Sequence, residues 1–118
     1  MPIVLCIDDR SANLKFLELI LDRANIQSIS ASTGTEGIEL ARQYKPQLIL
    51  LDLLMPENTL SGFQVATSIK NDPDLWEIPI IAISAADFKG RALEAGCDYF
   101  FRSPYQPNEL IAVIQQYL

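Results

Sequence analysis

Ile3-Val4-Leu5-Cys6-Ile7 running into Asp8-Asp9, and Leu48-Ile49-Leu50-Leu51 running into Asp52, decide how this chain folds. Each is a continuous apolar run without polar alternation, the pattern of a parallel-sheet strand covered on both faces. Each ends in acid. In open α/β sheets ligands bind outside the carboxyl ends of the strands, near the point where strand order reverses. Three carboxylates gathered at that edge repel one another unless a cation or a protonation change relieves them. The pattern predicts a divalent-metal site with an aspartate free to do chemistry.

Strand and helix patterns alternate five times outward from these runs, which predicts a βαβ-type layer fold. Leu14, Leu17, Ile20, Leu21 and Ala24 form one apolar stripe of a helix over 10–24. A short strand at 26–30 follows, then a helix opening at Gly34-Thr35, carrying Ile38, Leu40 and Ala41, and stopped by Tyr44-Lys45-Pro46. The third strand is 47–51. A loop from Met55 to Gly62 leads to a helix over 63–71, broken by Asp72-Pro73, and a linker from Asp74 to Pro79 enters a strand at 80–83 that ends at Ser84. A short helix over 87–95 stops at Gly96, the usual place for a C-terminal glycine. The last strand is 98–101, and a final helix over 107–118 starts at Pro107.

A length of 118 residues predicts one domain, 1–118, with an adequate core. Hydrophobic content of 49% against 20% charged residues is that of a globular chain. No apolar stretch reaches membrane-spanning length and Met1-Pro2 leads straight into a strand, so neither a span nor a signal sequence is expected and the predicted location is cytoplasmic. The absence of histidine excludes a His-ligated metal, a Ser-His-Asp triad and a histidine phosphocarrier. A net charge of −6 with scattered Lys and Arg argues against direct nucleic-acid binding. Cys6 and Cys97 lack any disulfide framework, and Cys6 reads as a small core hydrophobe.

Asp8, Asp9, Asp52 and Ser84 all stand at carboxyl ends, and a right-handed parallel sheet with these strands adjacent brings them to one crevice. Carboxylates with a backbone carbonyl and waters suit Mg²⁺, and an aspartate is a competent nucleophile for an acyl-phosphate. A hydroxyl at Ser84 could then meet a phosphoryl oxygen on Asp52.

Over its whole length the chain resembles the response-regulator receiver domain of two-component signalling. The resemblance rests on Ile7-Asp8-Asp9 with Asn13, on Asp52-Leu53-Leu54-Met55-Pro56 with Gly62, and on Gly96-Cys97-Asp98-Tyr99-Phe100 leading to Pro104. It implies a flavodoxin-like, doubly wound (βα)5 fold of strand order 2-1-3-4-5. It also implies Asp52 as phosphoacceptor, Mg²⁺ held by Asp8, Asp9, Asp52 and the Leu54 carbonyl, and Ser84 as switch hydroxyl. The implied partners are a histidine kinase or phosphotransfer protein, an output protein or fused effector domain, and a second copy through the fourth helix, fifth strand and fifth helix.

The chain departs from that family at several places. The slot before the proline after the last strand, a lysine in the family, is Ser103. Arg102 could substitute only if the strand end bulges, since successive strand residues point to opposite faces. The stretch from Ser84 to Gly96 is about one helical turn shorter than the family norm. The loop from Pro56 to Gly62 is longer than the common pattern, and Phe100 brings no hydroxyl to the aromatic switch position. Asn58, Thr59 and Ser61 read as a solvated loop, and Trp76 as a lid over the sheet edge. The last helix carries Leu110, Val113, Ile114 and Tyr117 inward, and Ile111, Ala112, Gln115 and Gln116 form an uncharged outer face suited to a partner.

Two alternatives stand beside a phosphoacceptor. One is an interaction module that keeps the scaffold but needs no phosphorylation, favoured by Ser103 and the clipped segment before Gly96. The other is an aspartate-nucleophile phosphatase, disfavoured by the lack of a catalytic histidine, a pocket lysine and a cap domain.

Overall fold

The computed structural model describes residues 2–56 and 59–118. Its elements alternate as β1 (Ile3–Ile7), α1 (Ser11–Arg23), β2 (Gln27–Ala31), α2 (Gly34–Tyr44), β3 (Leu48–Asp52), α3 (Gly62–Lys70), β4 (Ile80–Ser84), α4 (Lys89–Glu94), β5 (Tyr99–Arg102) and α5 (Pro107–Gln116). All strands are parallel in one sheet of order β2-β1-β3-β4-β5. This is the doubly wound, flavodoxin-like order expected from the sequence, with its switch point between β1 and β3.

The apolar strand runs are continuous because both faces are covered. Leu5, Ile7, Ile49, Leu51, Ile80 and Ala82 point into a core shared with α2, α3 and α4. Val4, Cys6, Leu48, Leu50 and Ile81 point the other way, against Leu17 and Leu21 of α1 and Leu110 and Ile114 of α5. Cys6 is the small buried hydrophobe expected, and burial pushes its thiol up to about 12, beyond easy ionisation. On the outer face expected of the last helix, Ala112, Gln115 and Gln116 are exposed, while Ile111 is half-buried.

Three elements differ from the sequence reading. α4 has only six residues, because the backbone of Phe88 leaves helical geometry (φ −111°, ψ 22°). The Phe88 ring instead packs edge-on to Phe63 of α3 at 5.4 Å between centroids, and the Arg91 guanidinium lies 4.3 Å from the Phe63 ring. Trp76 is no lid: it is 53% exposed, and Leu75 fills the core in its place. Ser61 does more than sit in a solvated loop. Its hydroxyl accepts from the Gln64 backbone N–H at 3.2 Å while the Gln64 side chain accepts from the Ser61 N–H at 2.8 Å, a capping box that starts α3. Thr59 is exposed, as expected, and Asn58 lies outside the described residues.

Gly62 sets how closely α3 approaches the end of β3. A Cβ there would stand 2.4 Å from the Asp52 carbonyl oxygen and 2.5 Å from Leu53 Cα, so only glycine lets the helix begin at this point.

Candidate functional site

β1 and β3 are hydrogen-bonded neighbours in the register Ile7↔Leu51, so Asp8 and Asp52 leave the sheet side by side. Asp8, Asp9 and Asp52 each offer a carboxylate oxygen, and these oxygens all lie within 4.8 Å of one another. Asp8 is 6% exposed. It tolerates that burial because one oxygen accepts the Arg10 backbone N–H at 2.9 Å and the other the Asn13 side-chain amide at 3.1 Å. Among the described residues the Asp52 carboxylate has one hydrogen bond, from the Leu54 backbone N–H at 3.2 Å.

The electrostatics reflect that difference in support. Burial, and then the nearby Asp8 carboxylate, push the Asp52 carboxyl up to about 7. Asp8 is also raised, chiefly by burial, with the Arg10 N–H and Asn13 amide pulling it back. The cluster carries more negative charge than its surroundings stabilise. Hard oxygen donors at this spacing, two of them on Asp8 and Asp52, whose ionisation burial disfavours, fit a small divalent cation such as Mg²⁺. A cavity of about 200 Å³ opens over the cluster, lined by Asp8, Asp52, Leu54, Ile83, Ala85 and Ser103, with Arg10 and Asn13 at its α1 side.

Ser84 is in the right place along its strand but turned away. Asp52 pairs with Ile83 across β3 and β4, so Ile83 shares the Asp52 face and Ser84 the opposite one. Ser84 is 1% exposed, and its hydroxyl accepts the Ala86 N–H at 3.1 Å. Its carbonyl accepts the Ser103 N–H at 2.9 Å, which ties the end of β4 to the turn after β5. Phe100 pairs with Ala82 and therefore lies on the Ser84 face, packed against the α4-side core.

Ser103 lines the acid cavity, and Arg102 does not. β5 keeps regular register to its last residue, Ser84↔Arg102, so no bulge swings the arginine inward. Arg102 is exposed and its Nε donates to the Ala85 carbonyl at 3.4 Å. The brace by Asn13 carried little signal in the sequence beyond its position one turn after Asp8-Asp9, and the contribution of Ala85 carried none.

Among the described residues no helix is long and apolar enough to cross a membrane. A family profile for the response regulator receiver domain matches residues 4–115. The polar-differentiation response regulator DivK of Brucella anthropi is 32% identical over 118 residues, covering 98% of this chain and 94% of that protein. The signal receiver domain of a signal transduction histidine kinase from Syntrophus aciditrophicus superposes with a TM-score of 0.90 at 28% identity, over 100% of this chain and 90% of that one. The receiver domain of a sensor histidine kinase from Pseudomonas aeruginosa, with a magnesium ion coordinated in its active-site cleft, has the same fold. Its TM-score is 0.88 at 22% identity, over 98% of this chain and 96% of that one.

Proposed function

The chain belongs to the response regulator receiver domain family, and on that premise we propose that it is a Mg²⁺-dependent phosphoacceptor acting as one unit over residues 1–118. The observation that carries this reading is the convergence of the Asp8, Asp9 and Asp52 carboxylate oxygens within 4.8 Å at the carboxyl edge of β1 and β3. Asp52 is the acceptor. One of its oxygens attacks phosphorus, the bond from phosphorus to the donor breaks, and the electron pair leaves with the donor, forming an acyl-phosphate. Asp8 and Asp9, with Asp52 and the Leu54 carbonyl, are the residues that would hold Mg²⁺. The chemistry this ion supplies when bound is positive charge against the phosphoryl oxygens and against the crowded carboxylates. Asn13 and the Arg10 N–H keep Asp8 oriented toward the cluster. Ser84 is assigned as the switch hydroxyl: from the face opposite Asp52 it would have to give up its bond to the Ala86 N–H and swing past the carboxyl end of β4, the backbone there shifting with it, to donate to a phosphoryl oxygen.

The donor is a histidine kinase or a phosphotransfer protein, consistent with a two-component signalling module that works in the cytoplasm and turns over no substrate of its own. Output passes by protein contact to a separate protein or a fused effector, and not by direct contact with nucleic acid, for which a net charge of −6 is unsuited. A second copy is a further partner. It would meet the chain on the face of α4, β5 and α5, where β5 is a sheet edge and Leu93 and Tyr99 are 46% and 40% exposed.

Intact mass after incubation with Mg²⁺ and a small acyl-phosphate donor tests this. The expected result is the gain of one phosphoryl group, lost in Asp52→Asn and lost on chelation of the metal. A chain that stays unmodified under conditions that charge another receiver fully rejects the phosphoacceptor reading. The reading that would replace it is a phosphorylation-independent interaction module, favoured by the uncharged Ser103 and the six-residue α4. Tryptophan fluorescence is a poor reporter here, since Trp76 precedes β4 at the opposite end of the sheet from Asp52.

A further inference from the structure

Among the described residues one basic side chain lines the cavity of about 200 Å³ over the acid cluster, that of Arg10. The backbone of this residue is anchored at the start of α1. Its N–H donates to Asp8 at 2.9 Å, and its carbonyl accepts the Leu14 N–H at 3.1 Å. The side chain takes no part in that anchoring. It makes no capping hydrogen bond to α1, and the residue is exposed. Among the described residues the ion pairs are Arg42–Asp72 and Lys70–Asp98, neither of which engages it. A guanidinium with five N–H donors thus borders the cavity free of any ion pair.

Other nearby cations are engaged elsewhere. Arg102 is turned to the Ala85 carbonyl, Arg91 lies against the Phe63 and Phe88 rings, and the turn after β5 brings Ser103 to the cavity without charge. Burial and the Asp8 charge push the Asp52 carboxyl up while Arg10 pulls it back down, so the guanidinium charge is felt at that carboxylate. A divalent cation offsets two of the three carboxylate charges, and Arg10 offsets the third. Formation of an acyl-phosphate then exchanges the single charge of Asp52 for close to two on the phosphoryl oxygens. That added charge falls in the cavity that Arg10 lines.

Resting on the phosphoacceptor reading, we propose that Arg10 is a phosphoryl-binding residue, its guanidinium donating to the phosphoryl oxygens as they arrive on Asp52. Arginine suits this task because its planar fork meets two oxygens of one phosphoryl group and stays charged at any working pH. No proton moves and no bond to Arg10 forms. The same charge acts with opposite sign on the metal: it attracts the phosphoryl group and repels a divalent cation approaching the carboxylates.

Two measurements on the full chain separate these effects. One is Mg²⁺ affinity by titration calorimetry with no phosphodonor present. The other is the rate of charging by acetyl phosphate at saturating Mg²⁺, followed by intact mass. Arg10→Ala keeps the N–H that braces Asp8 and removes no helix cap. It should slow charging at least about tenfold, the size of a lost charge-assisted contact, while tightening Mg²⁺ roughly two- to fivefold. A merely structural role would weaken both together. Arg10→Lys, which keeps the charge but not the fork, should return Mg²⁺ affinity to that of the parent and recover part of the rate. Arg102→Ala removes an equal charge outside the cavity and should leave both measurements within about twofold of the parent. Parent-like charging in Arg10→Ala, a Mg²⁺ affinity that falls with the rate, no recovery in Arg10→Lys, or an equal effect of Arg102→Ala would overturn the proposal and leave the phosphoacceptor reading standing. A parent chain that does not charge rejects both.

Discussion

Asp8 and Asp52 are the same side chain at equivalent strand ends, yet their surroundings give them different tasks. Asp8 is held by a backbone N–H and an asparagine amide, while among the described residues Asp52 has a single backbone N–H and more charge around it than support. The consequence is a stability that depends on pH. The Asp52 carboxyl is raised in the folded protein from its ordinary 3.8 to about 7, so between those values the metal-free native state binds more protons than the unfolded chain. Stability must then fall as pH rises from about 4 through about 7 and level off above it. Asp8, also raised, adds to the slope in the same direction. Chemical denaturation of the metal-free protein at pH 5 and pH 8 should show the higher midpoint at pH 5, and Asp52→Asn should reduce the difference. A midpoint that climbs toward pH 8 in the metal-free chain would contradict the assignment. Added Mg²⁺ is expected to raise stability most at the higher pH, where the carboxylates it would hold are ionised.

At the scale of elements, two segments bordering the site are fixed by local chemistry that the apolar pattern does not report. α3 begins against the end of β3 because Gly62 has no Cβ and because Ser61 and Gln64 satisfy each other's backbone N–H groups. Ser61→Ala should cost about 0.5–2 kcal/mol in a denaturant titration. The loss should come with little change at β1, since the cap lies on the α3 side of the sheet. A Ser61→Ala protein as stable as the parent would mean that the capping box is not formed in solution. α4 shows the opposite case. The periodicity extends it over 87–95, but the Phe88 ring gains more by packing on Phe63 than the segment gains by another helical turn. A short apolar stretch has too little intrinsic helix preference to resist such a contact, which is why its length could not be read from sequence.

Across the whole molecule, a sheet sandwiched between α1 with α5 on one face and α2 to α4 on the other leaves β2 and β5 as its edges. β5 is four residues long and aromatic, with the Tyr99 and Phe101 rings 5.1 Å apart, and α5 beside it presents Ala112, Gln115 and Gln116 without charge. An uncharged helix face next to an unpaired strand edge favours self-association. Sedimentation across a wide concentration range should show a concentration-dependent dimer, weakened by Tyr99→Lys. A chain that remains monomeric at the highest concentrations removes this face as a homodimer surface.

The sequence by itself determined a parallel sheet covered on both faces and its acidic edge, while the strand order followed only from the resemblance to receiver domains. Unbroken apolar runs can be satisfied only by a sheet covered on both sides, and acids placed directly after such runs must emerge together at its carboxyl end. Pro46 and Gly96 likewise determined where helices stop, because a fixed φ or a left-handed one leaves the chain little choice. What only the tertiary structure decided is which groups face one another. Ser84 and Asp52 both end strands, but pairing of Asp52 with Ile83 turns the serine to the far face. Ser103 and Arg102 are neighbours, but regular register to the end of β5 leaves the serine lining the acid cavity and the arginine outside it. Strand pairing, and with it the burial that raises Asp52 and the cavity beside Asp8, comes from contacts between residues distant in the chain. Such contacts leave no local trace in composition or period.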